Sequence, residues 1–195
     1  MTITFNETGK LKVTIEERID DADIEIFYEL YEQAFGPLRT KAAARQVLHP
    51  DEFREEMVDP RVLKFVSWSD DGEPLGMSTL TNCLDTVPWI SADYYRTQYP
   101  DHAARDAIYY LGFTLVRNDV GPTTAFRDAV EVLITKMADE QAIMCLDICG
   151  HHTDKGFAEV LERMAHAVAP TKVEVMDTQT YFVAAFEAAR RGVQR

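Results

Sequence analysis

The chain lacks both a long apolar segment and a cluster of positive charge. No stretch approaches the ~20 consecutive apolar residues that a membrane helix requires, and the N-terminus, MTITFNETGKLKV, has no positive region followed by an apolar run. We therefore expect a cytoplasmic protein with no membrane partner. Lys and Arg number 20 against 33 Asp and Glu, and the net charge is −13. Because nucleic-acid binding requires clustered positive charge against the phosphates, no nucleic-acid partner is expected.

Cysteine is also scarce, with three residues at positions 83, 145 and 149. An odd number without a framework spacing indicates reduced thiols rather than disulfides. Cys145, Asp147, Cys149 and His151 alternate, and all four are residue types that bind zinc. On an extended strand, however, alternate residues lie ~6.6 Å apart, too far for four ligands of one ion. We expect no metal site.

Glycine and proline, nine and eight residues respectively, divide the chain into segments. A length of 195 residues predicts one domain, residues 1–195, large enough to bury a core. Apolar periodicity predicts strands and helices in mixed order, which is an α/β protein. The predicted strands are 11–19, 62–68, 75–81, 107–116, 142–148 and 171–176, and the predicted helices are 21–35, 38–48, 51–58, 124–139 and 154–168. Residues 180–186 favour strand and helix about equally.

An aromatic-rich insertion at about 82–106 separates the predicted hairpin from the central strand. It is longer than most loops, and such segments often carry binding residues. We therefore take Trp89 and Tyr94 as candidate substrate-binding residues. Simple packing of the insertion against the domain is an equally good interpretation.

Two stretches carry a resemblance to a known family: VLKFVSWSDDGEPLGMSTL, a hairpin, and IYYLGFTLVRNDVGPTTAFRDAVEVLITKM, a strand, turn and helix. With the order of elements over nearly the whole chain, they resemble the GNAT superfamily of acyl-CoA-dependent N-acyltransferases. The resemblance implies a mixed central sheet of about six to seven strands with helices on both faces. It also implies acetyl-CoA as the acyl donor and a small-molecule amine as the acceptor. Whether the chain forms a homodimer is left open.

The resemblance further implies a CoA site in the loop after the fourth strand. In the family this loop reads Gln or Arg, two residues, Gly, one residue, Gly or Ala, and its amides hold the pyrophosphate at a helix N-terminus. Here residues 118–123 read NDVGPT, where Pro122 has no N–H to donate and Asp119 adds negative charge. An ordinary turn with a helix N-cap is the alternative interpretation. The implied cofactor-binding residues are Leu115, Val116, Asn118, Gly121, Thr123, Thr124 and Arg127.

Amine acylation requires a base, an oxyanion donor and an acid for the leaving thiolate. By position in the family's fold, Asp147 and His151 are the candidate bases. The helix after the fifth strand has no tyrosine where the family places its acid, so Tyr181 is the substitute, and Tyr109 is a candidate for the acceptor cleft. Each also has a purely structural interpretation: a hydrogen-bonded carboxylate, a solvated histidine, or a packed aromatic.

Two other functions are weighed against this one. The departures from the family's loop at Asp119 and Pro122, and the missing tyrosine, are typical of a catalytically degenerate GNAT-like protein that binds a ligand or a partner. The long region before the hairpin loosely resembles synthases of N-acyl amino acids and acyl-homoserine lactones, which take long acyl chains from carrier protein. Their Glu-Ser-Arg segment near the fourth strand is absent, because IYYLGF stands there.

Overall fold

The computed structural model describes residues 12–117 and 124–185. Their strands are β1 (Lys12–Glu16), β2 (Leu63–Trp68), β3 (Pro74–Thr81), β4 (Ile108–Val116) and β5 (Ile143–Cys145). Their α-helices are α1 (Asp21–Phe35), α2 (Pro50–Val58), α3 (Ala92–Gln98), α4 (Pro100–Ala103), α5 (Thr124–Asp139), α6 (Gly150–Thr153) and α7 (Phe157–Val168). None of these helices combines the length and apolarity needed to cross a bilayer.

The described strands form one mixed sheet in the order β1-β2-β3-β4-β5. The first four strands are antiparallel neighbours, and β4 pairs with β5 in parallel. The parallel pair requires a crossover, which α5 supplies. The predicted α/β class with a mixed sheet is confirmed, but the sheet of the described residues has five strands, not six to seven.

The difference lies after α7, where the sequence predicts a strand at 171–176 and either a strand or a helix at 180–186. Residues 171–176 and the described part of 180–186 have no regular structure, and Val175, Phe182 and Val183 are 84%, 92% and 96% exposed. Their composition favours a strand, but a strand forms only where its side chains pack and its backbone finds a neighbour. The predicted helix at 38–48 is also wrong beyond Thr40, where a short 3₁₀ helix ends.

Helices cover both faces of the sheet. On one face, α1 and α2 contribute Phe27, Tyr31, Phe53 and Met57 to a core that includes Phe113 of β4. On the other, Leu133 and Met137 of α5 pack against Phe65, Leu80 and Leu111 of the sheet. The helix α7 then packs against α5 through Met164 and Ala165. The central strand β4 is therefore sandwiched between apolar layers, as its sequence predicts.

A β-bulge in β4 sets the geometry of the site. Ser78 of β3 pairs with Thr114, but Leu80 pairs with Leu111, so β4 carries one extra residue between these pairs. The amide of Phe113 donates a hydrogen bond to the Thr79 hydroxyl at 3.3 Å within the bulge. Such a bulge shifts the alternation of side chains. As a result Leu111 and Thr114 both point toward α5 and α7, whereas Phe113 points toward α1 and α2.

Candidate functional site

The two parallel strands separate beyond their third paired position. The pairing runs from Ile108 and Ile143 to Tyr110 and Cys145, where β5 ends. The strand β4 continues through its bulge to Val116. Past Tyr110 the edge of β4 is therefore no longer paired with β5, and we call the unpaired stretch between these two strands, at the β5 end of the sheet, the slot.

An apolar cavity lies on the α5 and α7 side of this slot. Its interior volume is about 20 Å³, roughly the room of one water molecule, and the wider empty space around it, about 380 Å³, includes open solvent. Thr114 is its one polar side chain, and the hydroxyl of Thr114 lies 3.0 Å from that of Ser78. The lining residues are Leu111, Thr114, Val130, Leu133, Met144, Phe157, Val160, Leu161 and Met164.

On the α1 and α2 side the slot is polar and centres on Gly112. Gly112 is exposed although it lies in the central strand. A Cβ at this position would stand 2.5 Å from Thr79 Oγ1 and 3.4 Å from Glu56 Oε1. The carboxylate of Glu56, on α2, therefore lies directly against the backbone of the bulge. Desolvation raises the pKa of Glu56, although the Thr79 hydroxyl and the Lys64 ammonium oppose that rise.

Lys64 supports this carboxylate from within the sheet. Its side chain is fully buried, and Nζ donates hydrogen bonds to the carbonyls of Glu17 and Asp59 at 2.9 and 2.8 Å. Burial lowers the pKa of Lys64 to about 8, and the negative charges of Glu56 and Asp59 partly counter this. Lys64 pairs with Thr79 across β2 and β3, so these polar residues form one row that leads to Gly112.

A second carboxylate, Asp147, stands just past the end of β5. Its Oδ1 accepts a hydrogen bond from the Tyr110 hydroxyl. The Trp89 indole N–H lies 3.1 Å from the Tyr110 oxygen and 3.3 Å from Asp147 Oδ1. Burial and the Asp147 carboxylate raise the pKa of Tyr110, which keeps the phenol protonated. The insertion thus places Trp89 beside Asp147, two residues that the sequence predicted for the site.

The two histidines follow Asp147 on α6. The rings of His151 and His152 lie 5.6 Å apart, and the ring of His152 stacks on that of Phe157 at 6.4 Å. Desolvation, and then the positive charges of His151, Lys155 and Lys41, lower the pKa of His152. The structure therefore places both histidines on the short helix α6, which comes shortly after Asp147 in the chain.

Three other candidates are not in contact with Asp147 through any hydrogen bond among the described residues. Tyr109 is on the opposite face of the sheet, where its hydroxyl donates to Glu140 at 2.7 Å. Tyr94 is 40% exposed on α3 and packs edge-on against Tyr95. Tyr181 is 53% exposed in the segment after α7, and no hydrogen bond among the described residues ties it to Asp147.

The predicted cofactor residues are placed in part. Leu115 is buried toward α1, and Val116 pairs with Gly76 at the end of β4. Thr124 begins α5, and Arg127 in the first turn contacts Asp128 at 3.3 Å. The remaining predicted residues, Asn118, Gly121 and Thr123, lie outside the described residues.

Among the described residues, no group of three or more His, Cys, Asp or Glu side chains is placed to hold a metal ion. Cys145 packs in an apolar cluster with Tyr110 and Leu84, and burial raises the pKa of its thiol to about 12. A thiol held neutral in this way is a poor nucleophile.

The sequence prediction missed Glu56, Lys64, Thr79 and Gly112. Two signals were available, since a glycine inside an apolar strand often marks a bulge or a close approach, and a lysine at a buried strand position requires partners. Nothing local in the sequence indicates that α2 brings Glu56 over that glycine.

The comparisons with known proteins agree with this geometry at the level of the fold. No protein-family model matches the chain, and no curated protein is significantly similar to it. A solved structure of a probable acetyltransferase is 9% identical with a TM-score of 0.53, and the match covers 90% of this chain and 99% of that one. A second is the aminoglycoside acetyltransferase meta-AAC0020 from an uncultured soil metagenomic sample, in complex with trehalose. It is 12% identical, with a TM-score of 0.51 and coverage of 88% and 97%. The chain therefore has the fold of these acetyltransferases.

Proposed function

We propose that the protein is an acyl-CoA-dependent N-acyltransferase that moves an acetyl group from CoA to the amine of a small acceptor. The observation that carries the proposal is the slot between β4 and β5, which opens beyond Tyr110 and Cys145. An apolar cavity lies on one side of this slot and carboxylates lie on the other. An acyl donor and a cationic acceptor can therefore approach one another from opposite faces of the sheet.

The donor side fits an acyl-CoA in three respects. Backbone groups of β4 beyond Tyr110 are not paired with β5, so they are available to the amide-containing pantetheine arm, as they would be to a neighbouring strand. The apolar residues around the cavity offer a surface to the small acetyl group. The helix α5 is the next described element after β4 in the chain, and a helix N-terminus favours phosphate anions. The bound donor would supply an activated thioester.

The acceptor side fits a small amine. Asp147 and Glu56 present carboxylates to the slot, and the net charge of −13 attracts cations from a distance. Within the proposal, Asp147 and His151 remain candidates for proton transfer, and Trp89 remains a candidate contact for the acceptor. Tyr181 and Tyr94 would need to approach the slot to take part.

Calorimetric titration of acetyl-CoA into the purified protein tests the proposal. We expect saturable binding, weakened at least tenfold by Val160→Trp, because Val160 lines the cavity and an indole there would fill it. Val168→Trp is the matched control. Val168 is on the same helix, and the two valines are 36% and 38% exposed, but Val168 does not line the cavity.

Other outcomes distinguish the alternatives. Clear preference for octanoyl-CoA over acetyl-CoA would favour an enzyme like the long-chain synthases. Failure of the folded protein to bind either thioester would contradict the proposal and favour a protein that keeps the fold without the reaction.

A further inference from the structure

The segment after α7 carries the two most exposed large apolar side chains of the described residues, Phe182 and Val183, at 92% and 96% exposed. We call residues 178–185 the arm, and every residue in it is exposed. No backbone–backbone hydrogen bond joins residues 178–185 to the rest of the described chain. Within the part of the chain that the structure describes, the arm therefore packs on nothing.

The arm has the composition of a strand that is covered on both faces. Thr180, Tyr181, Phe182 and Val183 are β-branched or aromatic, the residue types that strands favour. Because alternate side chains of a strand point to opposite faces, Tyr181 and Val183 would lie on one face and Phe182 on the other. Apolar side chains on both faces are typical of a strand within a covered sheet.

The strand β5 offers an edge that no described strand occupies, because it is the last strand of the sheet. The amide of Ile143 donates to the Ala107 carbonyl on the β4 side at 3.0 Å. The amide and carbonyl of the next residue, Met144, therefore point to the outer edge. Ile143 and Met144 contact apolar clusters on opposite faces of the sheet but are only half-buried. A strand added at this edge would cover both.

The arm begins near this end of the sheet. Burial raises the pKa of Tyr95, and the charge of Asp177 adds to that rise, so Asp177 lies close to Tyr95. The ring of Tyr95 packs edge-on against that of Tyr110 at 6.4 Å, and Tyr110 pairs with Cys145 of β5. The arm therefore leaves the body of the protein from the β5 end of the sheet.

We propose that two copies of the chain exchange their arms, so that residues 180–185 of each copy add a strand to the β5 edge of the other. The chain itself supplies both the free strand and the free edge, and a two-fold axis lets each copy satisfy the other. Because both arms start at the β5 ends of their sheets, such an axis brings each arm to the β5 edge of the second copy. The edge at β1 lies at the opposite end of the sheet.

The exchange buries the area that a stable dimer requires. A buried aromatic side chain removes ~150–250 Å² from solvent. The exposed parts of Tyr181, Phe182 and Val183 in two arms therefore remove several hundred Å², and the surfaces that they cover lose a similar area. The total is on the order of the ~1,200–2,000 Å² of a specific interface.

Analytical ultracentrifugation over a range of protein concentrations tests the exchange. We expect a species of twice the 22.2 kDa of one chain. Phe182→Glu combined with Val183→Glu should raise the dissociation constant of the dimer by roughly a hundredfold or more, because buried anchors are replaced by charges. Ile26→Glu is the matched control, since Ile26 is an exposed apolar residue on α1, 46% exposed, and should leave the dissociation constant unchanged.

Hydrogen–deuterium exchange above and below the dissociation constant locates the contact. In the dimer the amides of residues 143–147 and 180–185 should exchange more slowly, and those of β1 should not change. A protein that is monomeric at all concentrations, or a dimer that the double variant does not weaken, would overturn the proposal. Protection of the arm without residues 143–147, as two arms paired with each other would give, would also overturn it, as would protection at β1. None of these measurements includes acetyl-CoA, so their outcome is independent of the proposed function.

Discussion

At the scale of single residues, position 112 shows how a missing side chain defines the site. Any Cβ at this position would stand 2.5 Å from the Thr79 hydroxyl oxygen, well inside van der Waals contact. Thr79 cannot move freely, because its hydroxyl accepts the hydrogen bond from the amide of Phe113 in the bulge. The glycine is therefore required by its neighbours, Thr79 and Glu56.

Gly112→Ala should lower the free energy of unfolding by about 1–3 kcal/mol, as overpacking in a well-packed region does. Urea denaturation followed by circular dichroism measures this change. Gly150→Ala is the control, since a Cβ at Gly150 would meet nothing within 4 Å. Equal denaturation midpoints for the two variants would show that the bulge accommodates a side chain without cost.

At the scale of elements, α2 depends on its N-terminus, and α2 carries Glu56. The side chain of Glu52 accepts the His49 amide at 2.8 Å and pairs with the guanidinium of Arg45. Arg45, and then the His49 amide, lower the pKa of Glu52 to about 2. These contacts are exposed to solvent, so their contribution to stability is modest.

Glu52→Ala should lower the free energy of unfolding at pH 7 by ~0.5–2 kcal/mol, the usual cost of a lost helix cap. The folded pKa of Glu52 lies below the ordinary value of 4.5, so its contribution is present above 4.5 and is lost as pH falls toward 2. Urea titrations at pH 7 and pH 3 should therefore show a smaller difference from the wild type at the lower pH. Glu55→Ala, exposed on the same helix, is the control. A difference from the wild type that stays constant with pH would contradict this role of Glu52.

The elements that the sequence predicted well are those with a strong periodic pattern. The apolar run of β4 and the hairpin of β2 and β3 appear close to their predicted bounds, as do α1, α5 and α7. The bulge was not predicted, because it depends on which residue of β3 lies opposite Gly112. The position of Glu56 against Gly112 was not predicted either, since it depends on the docking of α2 across the sheet.

At the scale of the whole molecule, the segment after α7 shows the limit of local preference. Thr180 to Val183 have strand-forming side chains, yet Phe182 and Val183 are almost fully exposed in this chain. A β-propensity reflects how well a side chain packs on a sheet surface, and no such surface contacts these two residues here. The sheet of the described residues consequently ends at β5.

The arrangement of layers connects this fold to the proposed reaction. The helices α5 and α7 cover the face that holds the apolar cavity, and α1 and α2 cover the face that holds Glu56. The slot between β4 and β5, the last two strands of the described sheet, lies between these two faces. The central claim is that an acyl-CoA binds in this slot.

Hydrogen–deuterium exchange with and without acetyl-CoA tests that claim most directly. If acetyl-CoA lies along the free edge of β4, the amides of residues 111–117 and of the first turn of α5 should exchange more slowly when it is present. The amides of β1, at the opposite edge of the sheet, should exchange at an unchanged rate. Protection confined to other parts of the chain, or no protection at saturating acetyl-CoA, would contradict the account.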